Sequence, residues 1–186
     1  MTAYKNSLTE AELLSEWQEI QLAQQNPARF RPLYDRYYEP IFRFIYNRTL
    51  DTEVSADLCS QVFLKAIQNI KKFIYKGVPF SAWLYRIATN EVTQWFRKQN
   101  KTRIVALEDT HTKHLVEELD DKQGLELNIQ KLNSVIQQLD PEELTMVQLR
   151  YFEQLPFKEV GEIMNITENN AKVKMYRLIQ KMKKLF

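Results

Sequence analysis

The residues best suited to chemistry lie between Phe80 and Arg103, in the run FSAWLYRIATNEVTQWFRKQNKTR. Leu84, Ile87, Ala88, Glu91, Val92 and Trp95 recur at helical spacing and Ser81 reads as an N-cap, which predicts one long amphipathic helix. Trp83, Arg86, Asn90 and Arg97 fall on a different stripe of that helix. A large aromatic, an amide and two guanidinium groups on one stripe can stack on an unpaired base, bond its edge and hold its phosphates. Such a stripe suits single-stranded or melted nucleic acid. A core helix that buries Trp83 and Trp95 and leaves its arginines solvated has the same spacing, because aromatics at helical spacing usually pack inside. The run alone leaves both interpretations open.

A second candidate closes the chain. Phe157 to Phe186 has the layout of a helix-turn-helix: a short helix with Val160, Gly161 and Met164 inward, Asn165 at a position needing a left-handed residue, Ile166 in the core, and Thr167 as cap. The long last helix buries Ala171, Met175, Leu178 and Met182 and presents Glu168, Asn169, Lys172, Val173, Tyr176 and Arg177, a face fit for a major groove. Lys174, Lys181, Lys183 and Lys184 flank it and can pair with phosphates without reading sequence. A helical hairpin that binds nothing can share this layout. Turn spacing, cap and charge agree with one another, and together they favour DNA.

Composition points to the elements that must hold these groups. Only three glycines and six prolines punctuate 186 residues, and long runs of Leu, Ile, Lys, Glu and Gln predict an all-α protein. The net charge of +2 hides segregation: residues 1–26 carry −3, 27–105 carry +8, 106–153 carry −7 and 154–186 carry +4. Two basic modules separated by an acidic one suit a protein that touches a polyanion at two places. No apolar run reaches the length of a membrane span, and MTAYKNSLTE lacks the apolar core of a signal peptide, so a cytoplasmic protein without membrane insertion is expected. The single cysteine, Cys59, excludes an intrachain disulfide and a cysteine-based zinc site. His111 and His114 lack the further ligands a metal needs, so no metal or cofactor is expected.

In chain order, residues 8–25 predict a short helix with Leu13, Leu14, Trp17 and Ile20 on one side, an N-terminal extension within 1–26. Residues 27–103 form a helical bundle. Asn26 and Pro27 open its first helix, in which Phe30, Leu33, Tyr34, Tyr37, Ile41, Phe44 and Ile45 make a buried face and Pro40 predicts a kink or break. Asp51 or Thr52 caps the next, whose core face is Leu58, Val62, Phe63, Ala66, Ile67 and Ile70. Residues 104–124 form a flexible acidic linker, expected to fold back on the basic modules. In 125–186 helical spacing resumes from Leu125 to Leu139, and DPEE then fixes a new start, with Asp140 as N-cap, Pro141 first and Glu143 third. Leu155 and Pro156 are expected to end that helix.

With both modules in view, the chain resembles the extracytoplasmic-function sigma factors, through ADLCSQVFLKA (56–66), FSAWLYRIATN (80–90) with its WFRK, and LRYFEQLPFKEVGEIMNITENNAKVKMYRLIQKMKKL. The resemblance implies a dissociable subunit of RNA polymerase that directs promoter recognition, melting and initiation. By that likeness Asp57, Gln61 and Lys65 would dock on the clamp helices of the largest polymerase subunit. Phe80, Ser81, Trp83, Arg86, Asn90, Arg97 and Lys98 would capture and melt the −10 element. Glu168, Asn169, Lys172, Val173, Lys174, Tyr176 and Arg177 would read the −35 element, in a domain that also sits on the polymerase flap. The linker would thread toward the active-site and RNA-exit channel, and an anti-sigma factor is a possible further partner.

A stand-alone helix-turn-helix regulator is the alternative, but it has no need of the aromatic and basic helix in the N-terminal half. An enzyme would need a phosphate loop, a ligand set or a nucleophile motif, and the chain offers none of these.

Overall fold

Polar caps open several of the helices. A computed structural model describes residues 8–99, 115–116, 118–119 and 125–185, with the backbone alone for 125–130. Helix α1 (Glu10–Gln25) opens on a capping box: the Thr9 hydroxyl accepts from the Glu12 backbone N–H, and the Glu12 carboxylate accepts from the Thr9 N–H at 2.7 Å. Asn26 caps a 3-10 turn (Pro27–Phe30), which runs into α2 (Arg31–Thr49).

Pro40 does not break α2, which continues as helix to Thr49. An internal proline costs about 3 kcal/mol or more. Tyr37, Ile41, Phe44 and Ile45 around it are all buried, and each buried side chain of that size contributes roughly 1.5–3 kcal/mol, so packing wins. Leu50, at φ 51°, ends the helix. Asp51 is then the cap of α3 (Thr52–Asn69), its carboxylate accepting from the Val54 N–H at 3.0 Å. A 3-10 turn (Ile70–Lys72) and an extended segment lead to α4 (Phe80–Gln99).

Helices α2, α3 and α4 pack on one another around Leu33, Phe44, Val62, Phe63, Phe80 and Leu84. Cys59 is buried among them, and burial pushes its thiol up to about 12. Ile20 and Ala23 of α1 are also buried, whereas Leu14, expected beside Ile20, is exposed. Tyr34, expected inside, lies at the surface with Tyr46. With Tyr38 and Phe42 they form a ladder of ring contacts along α2, 5.3–6.3 Å apart, because the i, i+4 repeat drifts off the core face.

The C-terminal part begins for side chains at Lys131, within α5 (Leu125–Ile136). Asp140 opens α6 (Pro141–Val147), accepting from the N–H groups of Glu142 and Glu143 at 2.9 Å, while Glu143 accepts from the Asp140 N–H. The helix widens to a π turn (Gln148–Phe152) and is capped by Glu153, before the expected stop at Leu155 and Pro156. Helices α7 (Phe157–Met164) and α8 (Glu168–Leu185) complete it.

Part of the expected linker belongs to this core. Leu115, Val116 and Leu119 are helical and buried with Leu132, Val147, Tyr151 and Met175, and Tyr151 donates its hydroxyl proton to Glu118. Three apolar residues on one helical face outweigh the acidic surroundings that made the segment look solvated. The remainder of the linker, with His111 and His114, lies outside the described residues.

The chain divides into two compact units, one of Ser7–Thr102 and one containing Arg103–Phe186. Among the described residues all regular structure is helical, and no helix is long and apolar enough to cross a membrane.

Candidate nucleic-acid interface

Helix α4 starts at Phe80, so Ser81 lies inside its first turn and is not its cap. The first N–H of the helix is satisfied from elsewhere: the Phe80 backbone donates to Glu16 Oε2 at 2.7 Å. Glu16 sits on α1, is 3% exposed, and accepts through Oε1 from the Tyr37 hydroxyl and from Arg36 at 3.4 Å. Burial, followed by the Glu16 charge, drives the Tyr37 hydroxyl well above its ordinary pKa, so it remains a proton donor. A buried carboxylate is tolerable only with such partners, and here they aim its second oxygen at a helix N-terminus.

Along α4, Leu84, Ala88, Glu91 and Val92 are buried as expected, joined by Phe80, Tyr85 and Phe96, while Ile87 and Trp95 are half-buried. The stripe of Trp83, Arg86, Asn90 and Arg97 faces outward: Trp83 and Arg86 are half-buried, and Asn90, Arg97 and Lys98 are exposed. Trp83 packs its ring on Phe73 and Phe80 in tilted contacts, with centroids 5.2 and 5.4 Å away. Such support leaves an aromatic platform at the surface, able to accept a stacked base. Phe80 itself is wholly buried and serves as that platform's foundation. Ser81 is half-buried beside it.

On α3, Asp57 and Gln61 are exposed on one face with Leu64, which is 55% exposed. Lys65 is exposed along its stem, but its ammonium lies 2.5 Å from the buried carboxylate of Glu91 on α4, so its charge serves the α3–α4 contact. The aromatic ladder on α2 reaches α3 through Tyr34 and Phe63, 4.8 Å apart. This surface had no signal in the apolar spacing, which assigned Tyr34 to the core.

On α8, Ala171, Met175, Leu178 and Met182 are buried, with Ile179. The opposite face carries Glu168, Asn169, Lys172, Val173, Tyr176 and Arg177, all exposed, with Tyr176 at 67%. Three local features place it. The Thr167 hydroxyl accepts from the Asn170 N–H at 3.2 Å, Asn165 turns the chain at φ 56°, and Gly161 packs against the turn. A Cβ at Gly161 would lie 2.8 Å from the Ile166 carbonyl oxygen, so only glycine lets α7 meet the turn this closely. Two of the lysines expected at phosphates are held within the unit: Lys174 pairs with Glu142 at 2.5 Å and Lys181 with Glu143 at 2.6 Å. Lys183 and Lys184 are exposed.

Two family models match the chain, sigma-70 region 2 over residues 33–102 and sigma-70 region 4 over residues 129–182. The first covers the α2–α4 bundle and the second the helix-turn-helix. The extracytoplasmic-function sigma factor BldN of Streptomyces coelicolor is 31% identical over 157 residues, and the alignment spans 84% of this chain and 60% of that protein. SigM of Bacillus subtilis, of the same group, is 26% identical, over 83% of this chain and 93% of that one. Among solved structures, CnrH in complex with the cytosolic domain of CnrY shares the fold, with a TM-score of 0.61 at 16% identity over 92% of this chain and 96% of that one. The sigma factor RpoE with the anti-sigma factor NepR from Bartonella quintana aligns at a TM-score of 0.57 and 16% identity, over 84% and 95% of the two chains. The chain belongs to the extracytoplasmic-function group of RNA polymerase sigma factors.

Proposed function

We propose that this chain binds core RNA polymerase as a dissociable subunit and uses its two units on separate promoter elements. The observation that carries this reading is the pair of outward faces: Trp83, Arg86, Asn90 and Arg97 on α4, and Lys172, Val173, Tyr176 and Arg177 on α8. The α4 face suits a melted −10 strand. Trp83 offers a supported ring for an unpaired base, Asn90 an amide for its edge, and Arg97 and Lys98 cations for the backbone beyond. The α8 face suits duplex at the −35 element, where Arg177, and Lys172 on exchanging its Glu168 partner at 2.6 Å, can donate to guanine or phosphate and Val173 and Tyr176 can touch thymine methyl groups.

Asp57, Gln61 and Leu64 of α3, with the aromatic ladder of α2, form the surface offered to the clamp helices of the largest subunit. The C-terminal unit sits on the flap. An anti-sigma factor would restrain the chain by covering the same surfaces, in the cytoplasm, and the protein performs no catalysis of its own. Lys65 borders this surface on α3, with its ammonium paired to Glu91 of α4.

Permanganate probing of a promoter tests this reading. Thymines of the −10 element become reactive only when core polymerase and this chain are both present. Reactivity with core alone, or none with both, overturns it.

A further inference from the structure

The segment that joins α3 to α4 is gripped from one side by α1. Gln24 Nε2 donates to the carbonyl oxygens of Ile70 and Phe73, both at 3.0 Å. The Trp17 ring stacks on Tyr75, 5.6 Å between centroids and 19° from parallel, and touches Phe73 at 6.3 Å. Glu16 closes the far end by accepting from the Phe80 N–H. Residues 16, 17 and 24 share one face of α1, and they hold both ends and the middle of the segment 70–80. Between the grips, Ile74 is 73% exposed and Lys76 is exposed, while Trp83 rests on the Phe73 and Phe80 rings.

An exposed apolar side chain on the segment whose Phe73 supports a half-buried tryptophan is suited to wedge against an unstacked base, provided the segment is rigid. The rigidity here comes from α1. We infer that Glu16, Trp17 and Gln24 are positioning residues for promoter melting: they fix the loop that presents Ile74 and Trp83 to the separated strand, and so set base preference at the −10 element. This rests on the sigma-factor reading above. Neither of the two family models includes residues 16–24.

The test uses the full chain with core polymerase and two promoter libraries, one randomised in the −10 element and one in the −35 element, read by sequencing RNA 5′ ends. Trp17→Ala and Gln24→Leu are compared with wild type and with Trp17→Phe, after thermal melts establish which variants are folded. The expected result is a −10 preference flattened about fivefold or more, within the range one base pair usually contributes, with −35 preference unchanged and the Trp17→Phe variant restored toward wild type. Gln24→Leu keeps the test decisive if Trp17→Ala fails to fold, since it removes two hydrogen bonds at similar side-chain volume. Preserved −10 preference with merely lower output in the folded variants assigns α1 a structural role and overturns the inference. A wild-type chain that yields no dependent start sites overturns the sigma-factor reading as well.

Discussion

The two units aim their basic helices by different physical means. In the N-terminal unit the first N–H of α4 is met by Glu16, 64 positions earlier in the chain, and the preceding loop is held by Trp17 and Gln24 of the same helix. In the C-terminal unit, Gly161, Asn165 and Thr167, all within seven residues, set the angle at which α8 leaves α7. A long-range clasp can be altered without changing the helix it positions, whereas a local turn and its helix stand or fall together. The α4 face therefore depends on contacts from a distant helix, and the α8 face on the turn beside it.

The largest effect expected to separate them comes from Gly161→Val. Its branched side chain has to enter where a Cβ alone meets backbone at 2.8 Å, so a loss of about 3 kcal/mol is expected, confined to the C-terminal unit. Hydrogen exchange would show loss of protection in α7 and α8 with α2–α4 unchanged; uniform loss would mean the units are coupled. Next, Trp83→Ala removes a stacking platform worth roughly 1–3 kcal/mol per base, so promoter opening should fall more than closed-complex binding does. Equal losses at both stages would refute that role.

Asp140→Ala should cost about 1 kcal/mol of C-terminal stability, seen as a lower denaturation midpoint, because it removes both capping bonds at α6. Replacing Glu142 and Glu143 with Gln frees Lys174 and Lys181. Affinity for −35 duplex should rise about twofold and its salt dependence steepen, since exposed pairs contribute little individually. Measured by titration at several salt concentrations, an unchanged slope would show that the two lysines never reach phosphate. Least conspicuous is Cys59. With its thiol held protonated up to about 12, it should resist iodoacetamide at pH 8 in the native chain and react on unfolding. The sign follows from the raised value: the unfolded chain loses that proton first, so this group's contribution to N-terminal stability declines as pH rises from about 9 toward 12.

What could be foreseen from the residues follows the same division. Asp140, Asn165, Thr167 and the buried stripe of α8 are local chemistry, and each stands where its type and spacing placed it. The outward stripe of Trp83, Arg86, Asn90 and Arg97 was legible for the same reason, helical period. Glu16 was not, because a glutamate in an exposed-looking helix becomes a buried acceptor only once Arg36, Tyr37 and Phe80 surround it. Ser81 does not cap α4 for the same reason, since the carboxylate that satisfies the helix comes from another helix. Phe80 lies under the site, not on its surface. The burial of Leu115, Val116 and Leu119 was masked by net charge, which describes a segment's average and not its one apolar face.

The most direct measurement is transcription from a genomic DNA library by core RNA polymerase with and without this chain, with RNA 5′ ends sequenced. Discrete start sites that depend on the chain, aligned on a shared pair of upstream elements, are the predicted result. No new starts, together with tight sequence-specific duplex binding by the chain alone, would contradict it and make the chain a stand-alone regulator.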